Sequence, residues 1–144
     1  MAGRRSILLA AGILVAVAAV FLYRHFMMPP DDLDMERARL SENGVYQVAI
    51  APEAEAIEQN ALHSWVLTLS TPQGDEVEGA TIAVDGGMPQ HRHGLPTAPQ
   101  VTEYLGEGRY RVEGLKFSMS GWWELRFDIS SAVGSDTVTF NLVM

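Results

Sequence analysis

The chain has 144 residues, 47% of them apolar and 19% charged, with a formal net charge of -8 and no cysteine. One domain's worth of sequence leaves no room for separate cofactor and substrate domains, and 18 acidic against 10 basic residues give no footprint for a phosphate backbone, which excludes nucleic acid as a partner. Without a thiol there is no disulfide framework, cysteine-based zinc site or cysteine nucleophile, so a bound metal has to be held by His, Met or carboxylate.

Residues 1–28 read as a short cytoplasmic tip and a transmembrane anchor. An unbroken apolar run, ILLAAGILVAVAAVFLY, covers residues 7–23 behind Arg4 and Arg5. At about 1.5 Å per residue it makes roughly 26 Å of helix, at the lower end of what spans a bilayer. Ser6, Arg24 and Phe26 extend it by snorkelling and interfacial anchoring. The alternative is a cleaved signal peptide, which ends its apolar region at a small-x-small site. Here Ala16, Ala18 and Ala19 lie inside the run, and bulky Phe21-Leu22-Tyr23-Arg24-His25-Phe26 closes it. Arg4 and Arg5 on one flank, against Asp31, Asp32 and Asp34 soon after Arg24 on the other, put the amino end in the cytoplasm. The chain is thus expected to cross its membrane once, with its C-terminal part on the extracytoplasmic side. An oxidising compartment agrees with the lack of cysteine.

Residues 29–43 read as an acidic linker. Pro29-Pro30 stops the membrane helix, and Asp31 or Asp32 is expected to cap a short helix over residues 33–40, with acids in its first turn and Arg37 and Arg39 in its last.

From Gly44 to Met144 the period changes to alternation. Tyr46, Val48 and Ile50 share a face, as do Trp65, Leu67 and Leu69, then Ile82 and Val84, then Tyr110 and Val112. Trp123, Leu125, Phe127 and Ile129 alternate with Glu124, Arg126 and Asp128, and Val138, Phe140 and Leu142 with Thr137, Thr139 and Asn141. With a short strand over residues 101–105, these predict an all-β domain of about seven strands, an immunoglobulin-like sandwich of two sheets. A sandwich of this size has no deep cavity, so function is expected on its end loops.

One loop stands apart. Residues 85–99 (DGGMPQHRHGLPTAP) hold two of the four histidines, three prolines and three glycines. In extended backbone, residues two apart point the same way, so His91 and His93 converge on one ion, with Met88 able to fold back across Pro89. His63 has the parity of Trp65 and lies at the core-side mouth of its strand, and Met119 sits in the turn before the Trp123 strand. Imidazole with thioether is a ligand set that suits Cu(I), whereas zinc takes thiolate or carboxylate more readily. The candidate metal ligands are therefore His91, His93, Met88, Met119 and His63, and the candidate ion is copper(I). Each has a plainer alternative: His91-Arg92-His93 as a polar loop, Met119 as a core plug, and His63 as a buried, hydrogen-bonded strand-end histidine. Trp122, with the parity of Glu124, either roofs the loop or caps the sandwich edge.

From Val45 onward the chain resembles the YtkA-like domains, which are related to the FixH-type single-anchor proteins. The shared features are His63-Ser64-Trp65, Gly79-Ala80 leading to Asp85-Gly86-Gly87-Met88-Pro89-Gln90-His91, then His93-Gly94, Gly108 with Tyr110, and Phe117, Met119, Gly121 and Trp123-Glu124. The resemblance implies an exported or membrane-anchored bacterial β-sandwich connected with copper handling or respiratory oxidase maturation. No enzyme is expected: there is no nucleophile elbow, and Gly86-Gly87 leads into Met-Pro instead of a phosphate loop's Lys-Ser/Thr. Two functions remain. The first is a metal-binding accessory protein with a membrane complex or copper-accepting client as partner. The second is a metal-free interaction module that assists assembly of a membrane complex.

Overall fold

The structure is a computed structural model that describes the backbone of residues 2–144 and the side chains of residues 12–24 and 28–144. It opens with helix α1 (Ala2–Met27), which ends ahead of Pro29-Pro30 with the Met28 N–H still bonded to the Arg24 carbonyl at 3.1 Å. Arg4, Arg5, the first part of the apolar run and Phe26 lie outside the described side chains. Among the described residues, no helix is long and apolar enough to cross a membrane.

Nine strands follow: β1 (Ala38–Leu40), β2 (Gln47–Pro52), β3 (Leu62–Ser70), β4 (Thr81–Met88), β5 (His93–Gly94), β6 (Gln100–Gly106), β7 (Arg109–Lys116), β8 (Trp122–Ser131) and β9 (Gly134–Val143). They form two antiparallel sheets, ordered β1-β2-β3-β7-β6 and β5-β4-β8-β9. The expected alternation sets the inner faces. Trp65, Leu67 and Leu69 of β3, Trp123, Leu125, Phe127 and Ile129 of β8, and Val138, Phe140 and Leu142 of β9 are all buried. Period-2 patterning gives each strand one apolar face, and the two sheets bury those faces against each other. Phe127 and Phe140 meet edge-to-face at 6.1 Å between ring centres, and Tyr46 spans the core to donate its hydroxyl to the Gly134 carbonyl at 2.5 Å.

The expected linker helix over residues 33–40 is not formed. Its last three residues form β1, which pairs Ala38 with Ala49, Arg39 with Val48 and Leu40 with Gln47. The reason is tertiary. The segment bridges the edges of the two sheets, with Glu42 N–H bonded to the Thr137 carbonyl at 2.8 Å and the Arg39 guanidinium donating to the Thr139 carbonyl at 2.9 Å. Asn141 in turn donates to the Asp34 carbonyl at 2.9 Å. The guanidinium groups of Arg37 and Arg39 lie over the Trp65 and Phe140 rings, at 5.3 and 5.6 Å. These contacts cover the edge of β9 and give the segment more than the weak propensity of a two-turn helix offers. A second clasp adjoins the Glu42 bond, where the Asp136 carboxylate accepts the Asn43 N–H at 2.9 Å, the Asn43 amide at 2.8 Å and the Thr137 N–H at 2.8 Å. Burial alone works to raise the Asp136 pKa, but the hydrogen bonds from Ser41, Asn43 and Thr137 outweigh it and hold the carboxyl well below the usual range.

Candidate functional site

The loop singled out in the sequence is a tight hairpin at one end of the sandwich. β4 lies between β8 and β5, and at Gly87 the neighbouring backbone comes so close that a Cβ would stand 2.3 Å from the His93 carbonyl oxygen. Only glycine allows this approach. The Met88 carbonyl then accepts the N–H groups of His91 at 3.1 Å and Arg92 at 2.9 Å, and Arg92 takes a left-handed conformation with φ of 55°. The expected extended backbone through His91-Arg92-His93 is therefore replaced by a turn. The two imidazoles still meet, stacked at 5.9 Å between ring centres with their planes 28° apart.

β5 returns the chain so that His93 lies directly opposite Met88 and Gly94 opposite Gly87. Residues directly opposite in an antiparallel ladder share a face, with Cβ atoms about 4.5–5.5 Å apart. His93 and Met88 are thus lateral neighbours, His93 exposed at the rim and Met88 buried, 1% exposed. His93 Nδ1 lies 2.9 Å from the Gly94 carbonyl oxygen. A carbonyl only accepts, so Nδ1 carries the proton; in the neutral ring this leaves the Nε2 lone pair unshared.

Met88 reaches toward the turn before β8. Its Cε lies 3.0 Å from where a Cβ on Gly121 would stand, and Gly121 has φ of 123°, a value side-chain-bearing residues rarely adopt. Met119, two residues before Gly121, is 41% exposed, so it is no core plug; its carbonyl accepts the Trp123 indole N–H at 3.0 Å. Trp123 then packs edge-on against His93 at 5.7 Å between ring centres. His93 and the Met119 turn thus meet at Trp123, with His91 stacked on His93 and Met88 directly across the ladder from it.

His63 is placed differently. It is buried, its Nε2 donates to the Glu58 carbonyl at 2.7 Å, and its ring faces Phe117 at 6.1 Å. Phe117 in turn packs on Trp123 at 5.5 Å, so two aromatic rings stand between His63 and the histidine pair. Trp122, on the outer face, is half-buried and donates its indole N–H to Asn141 at 3.0 Å.

Three contributors to this end were not read from the sequence in these roles: Trp123 as the ring that backs His93, Gly94 as the acceptor that fixes its tautomer, and Gly121 as the space that admits Met88. The glycines at 87, 94 and 121 were the visible signal, since they cluster in the two segments that approach each other. A groove of about 370 Å³ opens beside the hairpin, lined by Met88, His93, Glu124 and Arg126 among others. Arg126 is committed to Asp128 at 2.8 Å, and that hydrogen bond raises its pKa.

The fold and this hairpin define an antiparallel two-sheet β-sandwich carrying a histidine and methionine cluster at one end. The YtkA-like family model matches residues 40–128, more than half of the chain, and the chain belongs to that family. Comparison with curated proteins gives no match.

Proposed function

We propose that the chain is a single-pass membrane protein whose periplasmic sandwich, of immunoglobulin-like type, binds copper(I) as cargo. It acts as an accessory in copper handling or respiratory oxidase maturation, without catalysis of its own. The observation that carries this reading is the position of His93, stacked on His91 and directly across the ladder from Met88, with its Nε2 lone pair unshared. Two imidazoles with a thioether suit a soft monovalent ion, and the exposed Met119 sulfur in the adjoining turn is a second thioether donor. Zinc would call for thiolate or carboxylate beside the histidines, and among the described residues no three His, Asp or Glu side chains come together. The anchor is supported by the described part of α1, where apolar Leu14, Val17 and Val20 all stand at least 60% exposed.

Titration of the full chain in detergent micelles with Cu(I), against a competing chelator, tests the reading. Saturable binding of one ion is expected, and it weakens on acidification because protons compete for the imidazoles. No measurable affinity would transfer the weight to the metal-free interaction module.

A further inference from the structure

The hairpin that carries His91 and His93 is also tied to the end of α1. The Gln90 side-chain amide donates to the Met28 carbonyl, one residue past the helix, and beneath this bond lies a cavity of about 520 Å³. That volume falls within the roughly 300–1,000 Å³ typical of small-molecule sites. Phe21, Met28, Pro29 and Pro30 give it apolar walls; Arg24 and Asp31 supply one cation and one anion at its rim. Neither belongs to any of the ion pairs among the described residues, which join Arg39 to Asp34, Arg109 to Glu107, Arg111 to Glu53 and Glu103, and Arg126 to Asp128. Two opposite charges held on one cavity without pairing with each other match a ligand that itself carries both signs.

We propose that this cavity seats the headgroup of a phospholipid with a primary amine, its phosphate on the Arg24 guanidinium and its ammonium on the Asp31 carboxylate. Arg24 ends the apolar segment, the depth at which a guanidinium snorkels to lipid phosphate. The ammonium N–H groups are what Asp31 recognises, and a choline headgroup has none to donate. Apolar Phe21 and Met28 meet the first carbons of the acyl chains. Because Gln90 is both a wall of the cavity and the residue before His91, a seated lipid also steadies the hairpin facing the membrane surface.

The proposal rests on the anchor reading, and the experiment separates the two. Membranes containing the full chain are washed with alkaline carbonate; release of the chain would overturn both the anchor and the lipid site. The retained chain is then extracted in detergent and titrated with dioleoyl phosphatidylethanolamine, phosphatidylcholine or phosphatidylglycerol, with bound lipid counted by native mass spectrometry. The expected result is a preference of roughly tenfold for the ethanolamine lipid over the choline lipid, the scale of one hydrogen bond to a charged group. Asp31→Asn should bring the ethanolamine lipid down to the choline level, and Arg24→Gln should weaken all three. Both side chains are exposed, so neither change removes a core contact. Equal binding of the three lipids by the unmodified chain, or an ethanolamine preference that survives Asp31→Asn, would overturn the lipid site alone.

Discussion

Replacing Phe127 by Ala tests the packing on which the placement of the hairpin depends. Phe127 is 1% exposed, lies between Val84 and Val138 in the ladder, and meets Phe140 edge-to-face. Burying a ring of roughly 150–250 Å² at about 25 cal/mol per Å² contributes about 4–6 kcal/mol, of which alanine retains a part through its Cβ. The incompletely relaxed cavity and the lost ring pair add to the cost, so the expected destabilisation is about 3–5 kcal/mol. A domain of this size has roughly 5–15 kcal/mol in total, and the variant should sit close to unfolding. Urea denaturation followed by tryptophan fluorescence measures it, since Trp65 and Trp123 are buried in the same core. Val133→Ala, at a half-exposed turn position, is the control and should change stability by less than about 0.5 kcal/mol. A loss below about 1 kcal/mol at Phe127 would mean that the inward parity of β8, and with it the position of Trp123 against His93, is wrong.

Other expectations follow from the same geometry. Met88→Leu keeps the core volume and should cost less than about 1.5 kcal/mol in urea, yet weaken Cu(I) binding; unchanged affinity would remove Met88 from the ligand set. Gly87→Ala drives a Cβ into the His93 carbonyl, so β5 should part from β4, with faster amide exchange at His93 and Gly94 while β8 and β9 stay protected. Protection unchanged at β5 would contradict the close approach. Asp136 has its pKa held down in the folded chain, so its contribution is fully present above its unfolded value of about 3.9 and is lost as pH falls through the lower folded value. Asp136→Asn should therefore lower stability at pH 7 and flatten its fall in acid; an identical acid profile would show that the clasp with Asn43 is not coupled to folding.

The core was legible in the sequence because alternation is a local signal: Tyr46, Trp65, Trp123, Phe127 and Phe140 each announce their face through neighbours two residues away. β1 was not legible, since three residues of Ala-Arg-Leu carry no period. Their acidic and basic flanks fit a helix equally well until the edge of β9 and the ring of Phe140 are brought beside Arg39. The hairpin was half legible. The histidines and glycines of residues 85–94 marked the place, and the pairing of His91 with His93 was anticipated for a different reason than the one that holds it. A turn through left-handed Arg92 does what extended backbone was expected to do, and no local pattern distinguishes the two. His63 shows the limit of parity, which put it correctly on the core side and left open that Phe117 and Trp123 separate it from the pair.

The most direct test of copper binding at the hairpin compares Cu(I) affinity in the unmodified chain and in the double variant His91→Ala with His93→Ala, by chelator competition in the same detergent. Both rings lie at the exposed tip of the hairpin, so the fold should survive and the urea midpoint should serve as the check. The variant should keep its stability and lose Cu(I) binding. A double variant that is folded and binds Cu(I) as tightly as the unmodified chain would contradict binding at the hairpin.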